Sequence, residues 1–208
     1  MKPKTKGELL KRGRSLQGWN APDGLETFYE VRSRDSLLPP EEFAQLPRRP
    51  IRIVLDNLRS AFNVGAIFRL ADAIRAEEVI TCGYTCHPPH HKLEQTALGA
   101  TESVPWRHFR ETTTALTELR HAGVQVIGVE TVVSAVLFHR FPWHFPAAIV
   151  LGNEALGLSP SVLKLCHAVI QIPVFGFKNS INVATACAVI LYDVARQAGW
   201  LDQPQTAR

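Results

Sequence analysis

Three times along this chain a short run of aliphatic and β-branched residues stops at a polar, glycine-bearing turn and an apolar helix pattern follows. Few architectures accept that pattern other than a sheet whose strands feed helices. Ile51–Leu55 leads into Asp56-Asn57-Leu58-Arg59-Ser60-Ala61-Phe62-Asn63-Val64-Gly65-Ala66-Ile67-Phe68-Arg69. The run from Ala147 to Leu151 leads into Gly152-Asn153-Glu154-Ala155-Leu156-Gly157, whose paired glycines permit a tight turn with backbone amides close to a ligand. The third segment, Gln171-Ile172-Pro173-Val174-Phe175-Gly176-Phe177-Lys178-Asn179-Ser180-Ile181-Asn182-Val183-Ala184-Thr185-Ala186, launches the last helix. Ser180 is placed as its N-cap, the hydroxyl accepting from an amide one turn on, and the free amides of that turn suit a carboxylate or phosphate.

The spacing predicts strands near Ile51–Leu55, Val79–Cys82, Val104–Trp106, Val124–Val129, Ala148–Leu151 and Ala168–Ile172. It predicts helices near Val64–Ile74, Thr112–His121, Pro160–Leu165 and Asn179–Gln197. Such alternation gives an α/β fold, a mostly parallel sheet with helices on both faces. The last helix is apolar around most of its circumference, so it is expected in a core or against another subunit. Residues 15–49 carry Gly18, Pro22, Gly24, Pro39, Pro40, Pro47 and the pair Arg48-Arg49, and read as an extension, either a linker or a substrate arm.

With 208 residues, 46% hydrophobic and 20% charged, the chain can bury a core of its own. A formal charge of +4 and a pI near 9.0 suit a polyanionic partner without proving one. Lys2, Lys4, Lys6, Lys11, Arg12 and Arg14 face a single acid, Glu8, in the first 14 residues, which makes either a solvated tail or a phosphate-contacting one. No apolar run is long enough for a membrane span and the basic start lacks an apolar signal core, so no membrane contact and a cytoplasmic location are expected. Cysteines 82, 86, 166 and 187 are too few and scattered for a disulfide scaffold and are read as reduced thiols.

Soft ligands are dense in Cys82–His91, but the Cys spacing is irregular, two prolines stiffen the middle and no second ligand pair appears, so no metal is assigned. That loop follows a strand end, where His90, His91 and Lys92 are candidates for phosphate contact. Trp106, Trp143 and Trp200 are either base-stacking groups or, as isolated aromatics more often are, core or interface residues. Neither Gly-x-Gly-x-x-Gly nor a phosphate-binding Gly-x-x-x-x-Gly-Lys-Ser/Thr run occurs, which argues against other nucleotide-binding α/β enzymes.

Asn63-Val-Gly65-Ala-Ile-Phe-Arg69, Gly152-Asn-Glu154-Ala-Leu-Gly157 and Ile172-Pro173…Ser180-Ile-Asn182-Val183 resemble, in order, the three motifs of the SpoU/TrmH branch of the SPOUT RNA methyltransferases. The resemblance covers roughly residues 50 to 198, with Ile181 where the family has Leu, a swap of similar volume. It implies a SPOUT domain over 49–198 with a C-terminal trefoil knot, although knots are rare in proteins generally. Residues 1–48 become a basic N-terminal extension and candidate RNA-contacting arm, and 199–208 a tail. It also implies a homodimer, with the last helix and the first-motif helix at the interface. The implied cofactor is S-adenosylmethionine, held in the knot by Gly152, Ile172 and Ile181, with Thr131 after the fourth strand as a further candidate.

The implied reaction is methyl transfer to a ribose 2′-hydroxyl of tRNA or rRNA, with Arg69, Asn63, Glu154, Ser180 and Asn182 as the catalytic set. The alternative is an RNA-binding protein of the same fold without catalysis. The family's matching arginine is proposed to activate the hydroxyl, but a guanidinium with a pKa above about 12 is a poor base. Arg69 is better suited to stabilise a developing alkoxide and grip a neighbouring phosphate, which leaves the final proton acceptor open. Asn63 can donate and accept at once, fitting it to orient a ribose or hold Arg69, or simply to cap a helix. Glu154 could orient Arg69 or a loop amide, or be an ordinary turn carboxylate. Ser180 and Asn182 would position substrate or loop; a nucleophilic Ser180 is disfavoured because no partnered histidine is near in sequence.

Overall fold

The central strands read as unbroken apolar runs because both of their faces are covered. In the computed structural model, which describes residues 39–202, they belong to a unit spanning Leu46–Pro204, while Met1–Gln45 and Gln205–Arg208 form another. The described part of the latter is one short helix, α1 (Pro40–Gln45), with Glu41 and Glu42 in its first turn, where the helix dipole favours acids. The expected arm of residues 1–48 lies mostly outside the described residues.

The larger unit runs β1 (Arg49–Asp56), α2 (Ala61–Ala73), β2 (Ala76–Cys82), α3 (His91–Ala97), α4 (Ala100–Ser103), β3 (Trp106–Phe109), α5 (Thr112–His121) and β4 (Gln125–Val129). It continues with β5 (Val136–Leu137), a 3-10 turn at Phe138–Arg140, β6 (Ala147–Leu151), α6 (Pro160–Leu163), β7 (Ala168–Gln171) and α7 (Val183–Gln197). The seven strands lie in the order β3-β2-β1-β6-β4-β7-β5, and every pairing is parallel. Parallel neighbours need crossovers, and the helices that supply them cover both faces.

Alternation along each strand splits the core in two. Ile51, Ile53 and Leu55 of β1 with Ala147, Ile149 and Leu151 of β6 face Ile67, Phe68 and Ala71 of α2 and Ile190, Leu191 and Val194 of α7. Val54, Ala148 and Val150 point to the other side and meet Ala115, Leu116 and Leu119 of α5. The chain leaves β4 for the edge strand β5, returns to lay β6 between β1 and β4, then inserts β7 between β4 and β5. The ends of β4, β6 and β7 thus open on the same edge of the sheet, the edge where parallel α/β sheets bind ligands.

Several elements differ from expectation. Helix α7 begins at Val183, and its N-cap is Asn182, not Ser180: the Asn182 Oδ1 accepts from the amides of Ala184 at 2.9 Å and Thr185 at 3.2 Å. An amide oxygen caps as well as a hydroxyl, and the closer candidate won. Helix α2 starts earlier than Val64 because Ser60 caps it, accepting from the Asn63 amide at 3.3 Å. The third strand starts at Trp106, after Val104 closes α4. Short helices α3 and α4 and the two-residue β5 carried too little periodicity to be predicted. Helix α7 buries Ala186, Cys187, Ile190, Leu191, Val194 and Ala195 within this chain, and leaves Val189 36% and Tyr192 48% exposed.

Candidate active site

Glycine 65 shows why the first motif needs a residue without a side chain: a Cβ there would stand 2.5 Å from the carbonyl oxygen of Leu93, so its absence lets α3 lie directly on α2. The same logic shapes the second motif. A Cβ on Gly152 would fall 2.5 Å from the Gly157 carbonyl carbon, so the turn after β6 closes on its own backbone. Gly157 has φ +65°, a left-handed conformation that glycine adopts without penalty, and its amide donates to the Asn153 oxygen at 2.9 Å.

Inside that turn Asn153 is buried and fully used. Its Oδ1 accepts from the amides of Ala155 and Leu156, both at 2.9 Å, and its Nδ2 donates to the Asn57 oxygen at 2.7 Å and to the Tyr84 hydroxyl. Sequence reasoning passed over Asn153, although an asparagine opening a glycine-closed turn is a known signal for side-chain-to-backbone bonding. It also passed over Glu130, next to the Thr131 that it did single out. Glu130 accepts from the Leu158 amide at 2.9 Å and from the Thr131 amide at 2.8 Å, tying the end of β4 to the turn after β6.

Glu154 projects from the same turn toward the start of α2. Its Oε2 accepts from the Arg59 amide at 2.8 Å, and its Oε1 from the Ser60 amide at 3.1 Å and from Nδ2 of Asn63 at 2.9 Å. Asn63 in turn accepts through Oδ1 from Nδ2 of Asn182 at 3.1 Å. Residues from all three motifs meet in one chain of hydrogen bonds, Asn63 being 91 positions from Glu154 and 119 from Asn182. Partial burial alone would raise the Glu154 pKa, but the Arg59 amide, Asn63, its own amide and the Ser60 amide together carry it below the ordinary carboxylate value. Glu154 is therefore an ionised acceptor that holds loop amides, and Asn63 is neither a cap nor a partner of Arg69.

Beside this junction is an open cleft of about 640 Å³, a size suited to a small organic ligand. Its walls come from three strand ends: Glu130 and Thr131 after β4, Gly152 to Gly157 after β6, and Ile172 to Asn182 after β7. Thr131, Gly152, Glu154, Ile172, Ser180, Ile181 and Asn182 thus share one cavity. Asn63 touches it through Glu154 and Asn182. Arg69 does not: two turns further along α2, it is exposed, lies outside the cleft lining, and its side chain makes no hydrogen bond or ion pair among the described residues.

The other predicted contacts lie elsewhere. His90 caps α3, accepting from the Leu93 amide at 3.4 Å, while His91 and Lys92 are exposed. No group of three or more possible metal ligands occurs among the described residues. Trp106 stacks on His87 with ring centres 5.6 Å apart, Trp143 packs edge-on to Phe141, and Trp200 sits against Phe145 and under the Arg49 guanidinium. Each is engaged in packing, the second of the two readings. Burial lifts the thiols of Cys82 to about 12 and Cys166 to about 11, and raises Cys187 further, so these stay protonated. Among the described residues no helix is long and apolar enough to cross a membrane.

Residues 50–192 match the SpoU rRNA Methylase family. The chain is 32% identical over 148 residues to the 23S rRNA (guanosine-2'-O-)-methyltransferase RlmB of Ralstonia nicotianae, covering 71% of this chain and 59% of that protein. Over 154 residues it is 30% identical to the tRNA (guanosine(18)-2'-O)-methyltransferase of Escherichia coli K12, covering 72% of this chain and 65% of the other. Its fold superposes with a TM-score of 0.68 on an AdoMet-bound rRNA methyltransferase from Sinorhizobium meliloti, at 26% identity and over 74% of this chain and 59% of that one. The chain spans about three fifths of the length of the curated relatives it matches.

Proposed function

The chain belongs to the SpoU rRNA methylase family, and from that membership we propose that it is an S-adenosylmethionine-dependent methyltransferase acting on a ribose 2′-hydroxyl of tRNA or rRNA. The observation that carries the reading is the Glu154–Asn63–Asn182 chain of hydrogen bonds, which gathers the three motifs at the mouth of a ligand-sized cleft. Relatives at 30% and 32% identity are named as 2′-O-methyltransferases of tRNA and rRNA, which supports the class and leaves both RNAs open.

The cleft fits the cofactor in size and in its close-packed Gly152 wall, and its lining carries both signs, the Glu130 and Glu154 carboxylates and the Lys178 ammonium, as a cofactor with a cationic sulfonium and a carboxylate would use. Thr131, Gly152, Ile172 and Ile181 would hold it through backbone groups and apolar contact. When bound, S-adenosylmethionine supplies an electrophilic methyl group. The chain's own residues do the rest. Asn63, fixed from both sides, and Ser180 orient the ribose so that its 2′-oxygen lies in line, and Asn182 couples that arrangement to the start of α7. Arg69 brings a fixed positive charge to the oxygen as its proton leaves, and its planar fork grips an adjacent phosphate.

Homodimerisation belongs to the same proposal. Residues 62, 66, 69 and 73 of α2 share one helical face. Phe62 on it is 53% exposed, and α7 adds Val189 and Tyr192. Covering that surface with a second copy would bring Arg69 into the assembled site. The trefoil knot and a cytoplasmic location, where tRNA and rRNA are found, complete the reading.

The test is transfer of labelled methyl from S-adenosylmethionine to total RNA from a strain lacking the protein, followed by nucleoside analysis. A labelled 2′-O-methylnucleoside is expected, and its loss in Arg69→Ala. Cofactor and RNA binding without any transfer would favour the non-catalytic alternative, and no cofactor binding would overturn the reading.

A further inference from the structure

The loop between β7 and α7 exposes two whole aromatic rings. Phe175 is 95% and Phe177 102% exposed, while Ile172, Val174 and Lys178 to Asn182 of the same loop line the cleft. A phenylalanine left entirely in water loses the transfer free energy that normally buries it, and two in a row across one glycine are more than scattered surface exposure. Gly176 between them meets no heavy atom within 4 Å of where a Cβ would stand. Other large apolar side chains on the loops around the cleft are also exposed: Leu156 at 84%, Val133 at 108% and Ile181 at 41%. The mouth of the cleft is thus apolar at its tips, while Lys178 on the same loop is cationic.

We propose that Phe175 and Phe177 are a stacking platform for unpaired RNA bases flanking the nucleotide whose ribose enters the cleft; this rests on the RNA-methyltransferase reading above. Three features favour a base over another occupant. An unpaired nucleotide presents the flat apolar face of its base to a ring and its charged phosphate to Lys178, so it matches both halves of the loop. Phenylalanine offers no polar atom, so the contact is tolerant of sequence. A base that stacks on these rings must come from a loop, bulge or end, because in an A-form helix the base faces are already stacked on one another. The platform would thus select unpaired RNA over duplex.

The experiment compares the whole protein with the Phe175→Ala/Phe177→Ala double variant, using a stem-loop RNA with 2-aminopurine in the loop and the matching blunt duplex as probes. Expected for the wild type are quenching of the loop fluorophore and preference for the stem-loop. The double variant should bind the stem-loop at least about tenfold more weakly, given stacking of one or two bases, and lose the quench. Affinity for S-adenosylhomocysteine and the oligomeric mass should be unchanged. Equal binding and quenching in wild type and variant would overturn the platform, as would loss of cofactor affinity, which would make the rings a cofactor lid, or a change of mass, which would make them a subunit contact. Quenching that depends on both rings in a protein that transfers no methyl would leave the platform standing and remove the catalytic reading instead.

Discussion

Asn63 and Asn182, 119 residues apart, are joined side chain to side chain, Nδ2 of Asn182 donating to Oδ1 of Asn63 at 3.1 Å. Each is also bound on its other end, Asn63 to Glu154 and Asn182 to the first amides of α7. The bond therefore fixes one helix start against another. Asn182→Ser separates the two duties of the residue: serine still caps α7 but cannot donate across to Asn63. Stability by urea unfolding should stay within about 0.5 kcal/mol, because serine and asparagine cap about equally. Methyl transfer should fall by about 100-fold through misplacement at the mouth of the cleft. Asn63→Asp, which sets a carboxylate against Glu154, should lose both activity and stability.

Glu154 accepts three hydrogen bonds from groups that can only donate, so Glu154→Gln must turn an NH2 toward at least one of them. The expected cost is about 1 kcal/mol at this solvent-accessible position, read from denaturant midpoints. The pH dependence has a definite sign. Folding lowers the Glu154 pKa, so its contribution is complete above the unfolded value of about 4.3 and is lost as pH falls through the lower folded value. The stability difference between wild type and Glu154→Gln should be constant at neutral pH and shrink in acid; a difference that grows below about pH 4 would contradict the assignment.

Arg69 stands apart from the cleft of its own chain, and its proposed role depends on charge and planar geometry together. Arg69→Lys keeps the charge and loses the fork, so kcat should fall by about 100-fold, the scale of removing one oriented donor from a developing oxyanion. Affinity for S-adenosylhomocysteine should not change, because Arg69 does not line the cleft. Calorimetry and single-turnover transfer read the two effects separately.

The sheet was legible in the sequence because its central strands are continuous apolar runs bounded by turns. Five of the predicted strands coincide with β1, β2, β4, β6 and β7, and the long helices α2, α5 and α7 stand where their spacing put them. What was not legible was short or local. Helix α3 has seven residues and α4 four, too few for a periodicity to show. The cap of α7 depended on whether Ser180 or Asn182 came to precede the first helical residue, which their types do not decide. In the candidate site, the motif residues could be named from order and spacing, but their partners could not. That Glu154 would bind the Arg59 and Ser60 amides and not Arg69 is a consequence of how the turn after β6 meets the start of α2. The local bonds of Asn153 within that turn had a signal in the sequence, but the role of Glu130, which ties the turn to the end of β4, is visible only once β4 and β6 are adjacent.

The two glycines of that turn make a sharp final test, because the obstacle at Gly152 is backbone and cannot rotate away. An alanine Cβ would stand 2.5 Å from the Gly157 carbonyl carbon, 2.7 Å from the Leu158 nitrogen and 2.8 Å from the Gly157 oxygen. Gly157 cannot retreat freely, since it holds φ +65° and its own Cβ position lies 2.1 Å from Oε2 of Glu130, which is bonded to the Leu158 amide. Gly152→Ala should therefore push the turn open, costing about 1–3 kcal/mol as overpacking does. It should weaken S-adenosylhomocysteine binding by more than that loss of stability explains, because the displaced backbone is the wall of the cleft. Gly176→Ala is the control: it meets nothing within 4 Å, and its stability should match wild type within about 0.5 kcal/mol. Thermal unfolding with and without S-adenosylhomocysteine separates the outcomes. A Gly152→Ala protein that retains a wild-type ligand-induced shift would show that the turn is not part of the cofactor site.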